Sequence, residues 1–430
     1  MATLKAVRGT RDLLPPETEL WNRVEAVARS VFARYGFGEI RTPVFEATEL
    51  FARGVGEETD IVSKEMYTWE DRGRADSDKG QSLTLRPENT AGVVRAYIEH
   101  KLGDTGMLQK LFYIGPQFRR ERPQRGRYRQ FWQIGAEVLG PAWSGSDSAL
   151  RDAEVLEMLA TFLNEVGVRG WQLALNSVGS STDRPRYIAA LREALVPVKS
   201  GMCENCQRRA ETNPLRVLDC KEASDQATID ALPKIADYLD EESREHFAQV
   251  KAALDACGVA YVVEPRLVRG LDYYTRTTFE FTVPDGSGLG TQNALLGGGR
   301  YDGLSEMLGG PKAPGIGFAI GEDRLILTLQ AQAGETAAKK LDAYIAPMGV
   351  EQNPAALALA QELRRSGLSI EVGDGSFRLK KSFDAADKLA RKMVIVGENE
   401  VASGILTVKD FGAGEQHKVV RGELVATLRA

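Results

Sequence analysis

Between Arg119 and Arg129 the chain places six arginines and one glutamate in eleven positions, interrupted by Pro123 and Gly126. A guanidinium is a planar fork of donors that meets phosphate oxygens two at a time, so such a cluster suits a polyphosphate or a nucleic acid. A solvated basic loop is the competing reading, and this segment alone does not decide between them. Cys203-x-x-Cys206 has the spacing of a metal-binding pair, but Cys220 and Cys257 form no second closely spaced pair. The expectation is therefore structural thiols in a reducing compartment, with no bound metal and zinc unlikely. Only three histidines exist, His100, His246 and His417, and they are scattered, which disfavours His-rich metal sites and His-centred hydrolytic triads. No Gly-x-x-x-x-Gly-Lys-Ser/Thr phosphate loop occurs, and Gly315-Ile316-Gly317 does not continue as a dinucleotide fingerprint.

The arginine cluster needs elements to hold it. Lys110–Phe118 and Arg129–Gly140 alternate apolar and polar residues, as does Thr277–Val283, so the cluster reads as the loop of a long antiparallel hairpin. An amphipathic helix is expected from about Glu17 to Tyr35, ended by Gly36, and Glu39–Phe45 reads as a strand broken by Pro43, suited to an edge or an interface. From about 182 to 257 the pattern turns helical and polar, which reads as an inserted helical module. After a linker at 331–340, residues 341–430 alternate short apolar strands with helices: a small α/β domain. The fold class is α+β.

With 430 residues, 43% apolar and 27% charged, the chain has room for two or three packed units. A net charge of -5 argues against coating nucleic acid through bulk positive charge, though local patches remain open. No apolar run spans a bilayer, and Lys5, Arg8, Arg11 and Asp12 are not separated by the apolar stretch of a secretory signal, so a cytoplasmic location without membrane contact is expected.

The order of motifs resembles the class II aminoacyl-tRNA synthetases and, within them, the histidyl-tRNA synthetase family. Its pieces are Val7–Asp12, Glu39–Phe45 around Pro43 as motif 1, Thr84-Leu85-Arg86-Pro87-Glu88-Asn89-Thr90, Phe118–Glu137 as motif 2, Arg269-Gly270-Leu271-Asp272-Tyr273-Tyr274, Gly297–Gly303, and Gly317–Leu325 as motif 3. The Arg-Gly-Leu-Asp-Tyr-Tyr element is the most specific. The signatures of class I synthetases are absent.

The resemblance implies a class II antiparallel sheet flanked by helices over 1–330 and an anticodon-binding domain over 341–430. It implies a homodimer that joins L-histidine to tRNA(His), with ATP as substrate and Mg2+ as its companion. Catalytic roles fall to Arg119 at the α-phosphate and carboxylate, Arg324 at the γ-phosphate, and Arg269 against the α-phosphate. Glu121, Arg127 and Phe131 join Arg119 and Arg324 around ATP, with Phe131 stacking on adenine. Glu88, Thr90 and Gln133 belong to the amino-group side of a histidine pocket that also includes Asn89, and Glu137, Tyr273 and Tyr274 to its imidazole side. Gln124 is implied as an acceptor-stem contact. Asn89 stands where the family often has glycine, and Asp323 where motif 3 usually has glutamate. Two rivals stand beside it: a non-catalytic paralogue serving as the regulatory subunit of ATP phosphoribosyltransferase, of a kind that keeps this core but typically lacks the motif arginines and C-terminal domain present here, and a tRNA-sensing module that binds without acylating.

Overall fold

The computed structural model describes residues 3–56, 59, 61–71, 80–268, 273–284, 289, 293–333 and 340–430. The chain divides into two compact units, residues 1–335 and 336–430.

The first unit is built on an eight-stranded sheet in the order Gly38–Glu39, Gln109–Phe118, Gln130–Leu139, Gly315–Gly321, Ala294–Tyr301, Thr275–Thr282, Gln172–Ser177, Tyr261–Val263. The outermost pairing at each end is parallel and every pairing between them is antiparallel. Alternation along these strands separates scaffold from site, because successive side chains leave a strand on opposite faces. Ile134, Ala136 and Val138 face helices Glu17–Arg34 and Ala149–Val166, together with Phe112, Ile316, Phe318 and Ile320. Gln133, Glu137, Tyr113 and Tyr301, on the other parity, line a cavity.

The expected edge segment at 39–45 is two short strands rather than one. Gly38–Glu39 closes the edge of the large sheet, and Phe45–Ala47 pairs instead with Gln81–Leu85 in a separate three-stranded sheet. The long first helix starts behind Pro16 with Glu17 and Glu19 in its first turn, where carboxylates complement the helix dipole, and it stops before Gly36 at φ 79°. Phe32 on its buried face meets Phe37, Phe112, Phe162 and Phe318, with ring centroids between 5.4 and 6.3 Å.

Residues 187–239 have an apolar core of their own, from Tyr187 and Leu191 to Ile235 and Leu239. The last helix of the expected insertion, Glu241–Ala256, belongs elsewhere: Val250 and Leu254 pack into the main core against the helix Ala149–Val166. Its polar outer face made it read like the rest of the insertion. The join is ionic as well. Fully buried Arg300 donates from Nε to Asp152 Oδ1 and Oδ2 at 3.1 and 3.2 Å, also pairs through Nη2, and gives Nη1 to the Ser146 carbonyl at 2.9 Å. His246 on the helix Glu241–Ala256 meets the same carboxylate at 2.8 Å. Removing one partner of a buried pair leaves an uncompensated charge, so Arg300→Met is expected to cost about 3–5 kcal/mol. Denaturant unfolding of the full chain checks this, and a change within experimental scatter would mean that the pair is energetically idle.

The second unit holds a five-stranded sheet in the order Ile370–Val372, Leu341–Pro347, Ala390–Val396, Ile405–Asp410, Gln416–Val420, parallel in its first two pairings and antiparallel in the last two. Helix Asn353–Arg365 carries Pro354 in its first turn and buries Ala356, Leu359, Ala360 and Leu363, the spacing of one helical face. The strand Gln416–Val420 was not expected from the sequence; four of its five residues are exposed, so it carries no alternation to read. The expected linker begins later than position 331, since helix Glu322–Ala333 runs into it, and 334–339 lie outside the described residues.

Candidate active site

The hairpin Gln109–Phe118 and Gln130–Leu139 forms one wall of a cavity of about 800 Å³ on the side of the sheet away from the long helices. Room for it comes from small residues on the neighbouring strand. Gln133 lies opposite Gly321, and Glu137 opposite Gly317, where an added Cβ would overlap the Glu137 carboxylate. The glycine run 297–299 is likewise strand rather than turn, and a Cβ at Gly299 would come within 2.8 Å of the Tyr274 ring.

At one end of the cavity Glu137 is fully buried. Tyr301 donates its hydroxyl to Oε2 at 2.6 Å, and Thr90 donates to Oε1 at 2.7 Å. Tyr113 lies further off at 3.5 Å. Burial dominates over these hydrogen bonds and pushes the Glu137 carboxyl up to about 8. Tyr273 and Tyr274 pack beside it with ring centroids 4.9 Å apart, and Tyr273 meets Tyr301 edge-on at 5.8 Å. Gln133 is nearly buried, and its Oε1 has no hydrogen-bond partner among the described residues. A buried orphan acceptor wants a donor, and an ammonium is one.

The raised Glu137 carboxyl has a consequence for stability. The unfolded chain loses this proton near 4.5 and the folded chain near 8, so ligand-free stability should fall as pH rises across that window. Glu322, whose buried carboxylate oxygens have no hydrogen-bond partner among the described residues, is pushed by burial to about 9 and acts in the same direction. The informative comparison is therefore Glu137→Gln against the native chain. The variant's melting temperature should fall less between pH 5 and 8, and equal slopes would mean that Glu137 is already ionised in the empty cavity.

Glu88 lines the cavity but also closes a helix. Its carboxylate accepts from the backbone N–H of Thr90 at 2.7 Å and of Ala91 at 3.1 Å, at the start of helix Thr90–Glu99. Burial raises its pKa, opposed by those two N–H groups and by Arg119. A carboxylate has lone pairs left for a ligand after two such bonds. Asn89 departs from expectation. It is buried outside the cavity lining, where its Oδ1 accepts from Thr42 at 2.7 Å, so it braces the motif 1 segment rather than facing a substrate.

The other end of the cavity is basic. Arg119 donates from Nε to the Pro87 carbonyl at 2.9 Å, lies 5.2 Å over the Phe131 ring, and approaches Glu121 at 3.8 Å. Arg127 pairs with Glu121 at 3.4 Å. Arg324, in the first turn of helix Glu322–Ala333, has its pKa lowered by burial and by neighbouring Arg127, with Glu280 and Glu121 opposing. All five expected ATP residues thus line the same cavity as the expected histidine residues, Asn89 excepted. Gln124 is exposed in the loop, where its backbone N–H and carbonyl pair with those of Arg127, and it is not part of the lining. Arg269 lies outside the described residues, as do Gly270, Leu271 and Asp272. Asp323 accepts from Arg11 at 3.0 Å and from the Trp132 N–H at 3.0 Å, tying the N-terminal segment to the hairpin.

Tyr113 and Tyr301 were not singled out from the sequence, although both place hydroxyls toward Glu137. The signal available was parity: Tyr113 pairs with Gly135, two residues before Glu137. Nor was Cys220 expected beside the Cys203/Cys206 pair, yet Cys203, Cys206, Cys220 and Asp225 hold their side-chain ligand atoms within 4.8 Å of one another. A more open depression of about 1070 Å³ around Trp171 and Tyr261 carries none of the expected residues.

The sequence profile described as Histidyl-tRNA synthetase matches residues 9–325. The chain belongs to the histidyl-tRNA synthetase family. A second profile, Anticodon binding domain, matches 342–430. Relatives named Histidine--tRNA ligase include those of Koribacter versatilis, 66% identical over 99% of this chain and 96% of the relative, and of Solibacter usitatus, 56% identical over 99% of each. Among solved structures, the apo histidyl-tRNA synthetase of S. aureus superimposes with a TM-score of 0.80 at 37% identity, covering all of both chains. The structure titled ATP phosphoribosyltransferase regulatory subunit/histidyl-tRNA synthetase, from Bacillus halodurans C, has a TM-score of 0.65 at 20% identity over 92% of this chain and 99% of that one, a likeness of fold alone. Within the described residues, no helix is long and apolar enough to cross a membrane.

Proposed function

We propose that this member of the histidyl-tRNA synthetase family is a histidine–tRNA ligase. It joins L-histidine to ATP as histidyl-adenylate with release of pyrophosphate, then transfers the histidyl group to the 3′ end of tRNA(His) with release of AMP. The observation that carries the reading is one cavity with two opposed chemistries: buried acceptors and phenols at one end, arginines at the other.

In activation, a histidine carboxylate oxygen attacks the α-phosphorus of ATP and the bond to pyrophosphate breaks. Negative charge grows on the phosphoryl oxygens, and preorganised cations stabilise it. Arg119 sits between the two chemistries, near Glu88 on one side and Glu121 on the other, and is the residue assigned to the attacking carboxylate and the α-phosphate. Arg324 and Arg127 are assigned to the distal phosphates, Phe131 to the adenine, and Arg269, by family resemblance, to the α-phosphate. Gln133, Glu88 and Thr90 serve the substrate ammonium. Glu137, with Tyr273 and Tyr274, serves the imidazole, and Tyr113 and Tyr301 are added to that group as the hydroxyls that orient the carboxylate. An amino acid without ring N–H groups leaves these buried polar groups unpaired, and such sites discriminate by about 10⁴–10⁵.

Mg2+ takes oxygen ligands and is commonly shared with substrate phosphates. Glu121 and Glu280 fit that demand, because both lie in the cavity lining close enough to act on Arg324. With ATP bound, Mg2+ there would supply positive charge to the phosphates. Residues 1–330 form the catalytic domain on this reading, Gln124 reaches the acceptor stem, 341–430 bind the anticodon, and the enzyme works as a cytoplasmic homodimer.

The test is pyrophosphate exchange into ATP across the twenty amino acids, followed by charging of tRNA(His). Exchange with histidine alone supports the reading. Exchange with another amino acid would sink the substrate assignment. No exchange at all, with tRNA still bound, would leave a binding module or a regulatory paralogue. Retention of Arg119 and Arg324 in the cavity, and of a second folded unit, favours the enzyme over either.

A further inference from the structure

The inserted module holds a cluster that the reaction above does not use. Cys203 is the N-cap of helix Glu204–Thr212 and Cys206 lies in its first turn, so both sulfurs sit at the positive end of that helix. Cys220 follows the short turn Pro214–Val217, and Asp225 follows five residues later. The ligand atoms of all four lie within 4.8 Å of one another, although the residues span twenty-three positions of sequence. Cys203 Sγ and Cys220 Sγ are 3.8 Å apart. A zinc–sulfur bond of about 2.3 Å sets the sulfur–sulfur edge of a regular tetrahedron at about 3.8 Å.

Packed core thiols are the ordinary explanation for buried cysteines, and Asp225 does not fit it. Its side chain is almost wholly buried, and no lysine or arginine pairs with it among the described residues. Its hydrogen bonds come from the Cys203 N–H at 3.1 and 3.2 Å, the Ser224 hydroxyl at 3.2 Å and the Cys220 thiol at 3.5 Å. A carboxylate buried among thiols without a cation is costly, and a bound metal removes the cost. Two backbone N–H groups also point at the sulfurs. The Cys206 N–H donates to Cys203 Sγ and the Glu222 N–H donates to Cys220 Sγ, both at 3.4 Å.

We propose that Cys203, Cys206, Cys220 and Asp225 bind one Zn2+ as a closed, structural site. Three soft thiolates select zinc over magnesium or calcium, and four protein ligands leave no open position for chemistry. The metal has a mechanical task. Residues 187–239 share one small core, and small units gain folding energy from a bound metal. It also reaches the cavity indirectly, because Asp219 and Lys221 flank Cys220 and both belong to the cavity lining. Zinc on Cys220 would hold that segment at the cavity wall.

The experiment is metal content of the full-length protein, purified after growth with added zinc and passed through a chelating resin. One zinc per chain is expected in the native protein and in Cys257→Ser, whose exposed thiol lies outside the cluster. In Cys220→Ser the content should fall at least about tenfold, as expected when a thiolate ligand is lost. Should Cys220→Ser fail to fold, cobalt exchange into the native protein still decides the matter through thiolate charge-transfer absorption and the bands of tetrahedral Co2+. The proposal is overturned by a native protein that holds no zinc and gives no such cobalt spectrum. It is equally overturned by zinc that persists in Cys220→Ser, or by a Cys203–Cys220 disulfide in protein purified without oxidant. None of these readouts depends on which amino acid the enzyme activates.

Discussion

Replacing Arg119 with alanine should lower kcat for histidine-dependent pyrophosphate exchange by about 10²–10³, the usual loss when one preorganised donor to developing charge is removed. The geometry makes Arg119 more exposed to such a loss than its neighbours. Its Nε is already held by the Pro87 carbonyl and its Cζ lies over the Phe131 ring, so the two terminal nitrogens are presented without large reorganisation. Arg119→Lys keeps the charge but not the fork, and should recover only part of the rate. Histidine KM should change less than kcat, because the groups assigned to the ammonium and the ring come from other residues. A kcat within a few-fold of the native value, in a variant that melts normally, would remove Arg119 from the reacting centre.

Gly317→Ala is expected to be as severe although it adds a single methyl group. Gly317 lies across the strand pair from Glu137, and a Cβ there occupies the space of the carboxylate. The carboxylate can yield only by leaving the Tyr301 and Thr90 hydroxyls, and displacement of a recognition group by about 1 Å costs roughly 10²-fold. The expected result is a fall of at least about 10² in kcat/KM for histidine. Gly38→Ala is the matched control, since nothing lies within 4 Å of the added carbon. Unaltered kcat/KM in Gly317→Ala would mean that Glu137 does not hold the ring of the substrate.

What could be read from the sequence was whatever depends on local pattern. The hairpin around the arginines, the first helix and four of the five strands of the second unit announce themselves by period and by their Pro and Gly boundaries. The roles proposed for Arg119, Arg324, Glu137, Tyr273 and Tyr274 come from family likeness, since spacing alone leaves an arginine cluster as surface. The failures have a shared physical origin. Asn89 and Glu88 adjoin each other, but a helix start turns one toward Thr42 and the other toward the cavity, and sequence order carries no record of that turn. Cys220 joins Cys203 across a fold of the module, and Tyr301 meets Glu137 across two strand pairings. Each is a contact between distant positions, made by tertiary structure. The helix Glu241–Ala256 was misplaced for the opposite reason, since its outward residues resemble the insertion while its inward ones belong to the main core.

Arg300 and Tyr301 are consecutive, yet one neutralises a carboxylate beneath the helices and the other steadies a carboxylate in the cavity. The strand that carries them is therefore a partition with opposite electrical demands on its two sides. Sliding it by one residue would bring Arg300 to the place of Tyr301 and Gly299 to the place of Arg300, setting a permanent cation against Glu137 and leaving Asp152 without one. Evolution can alter either wall by substitution, but it cannot add or delete one residue in this strand without poisoning both at once.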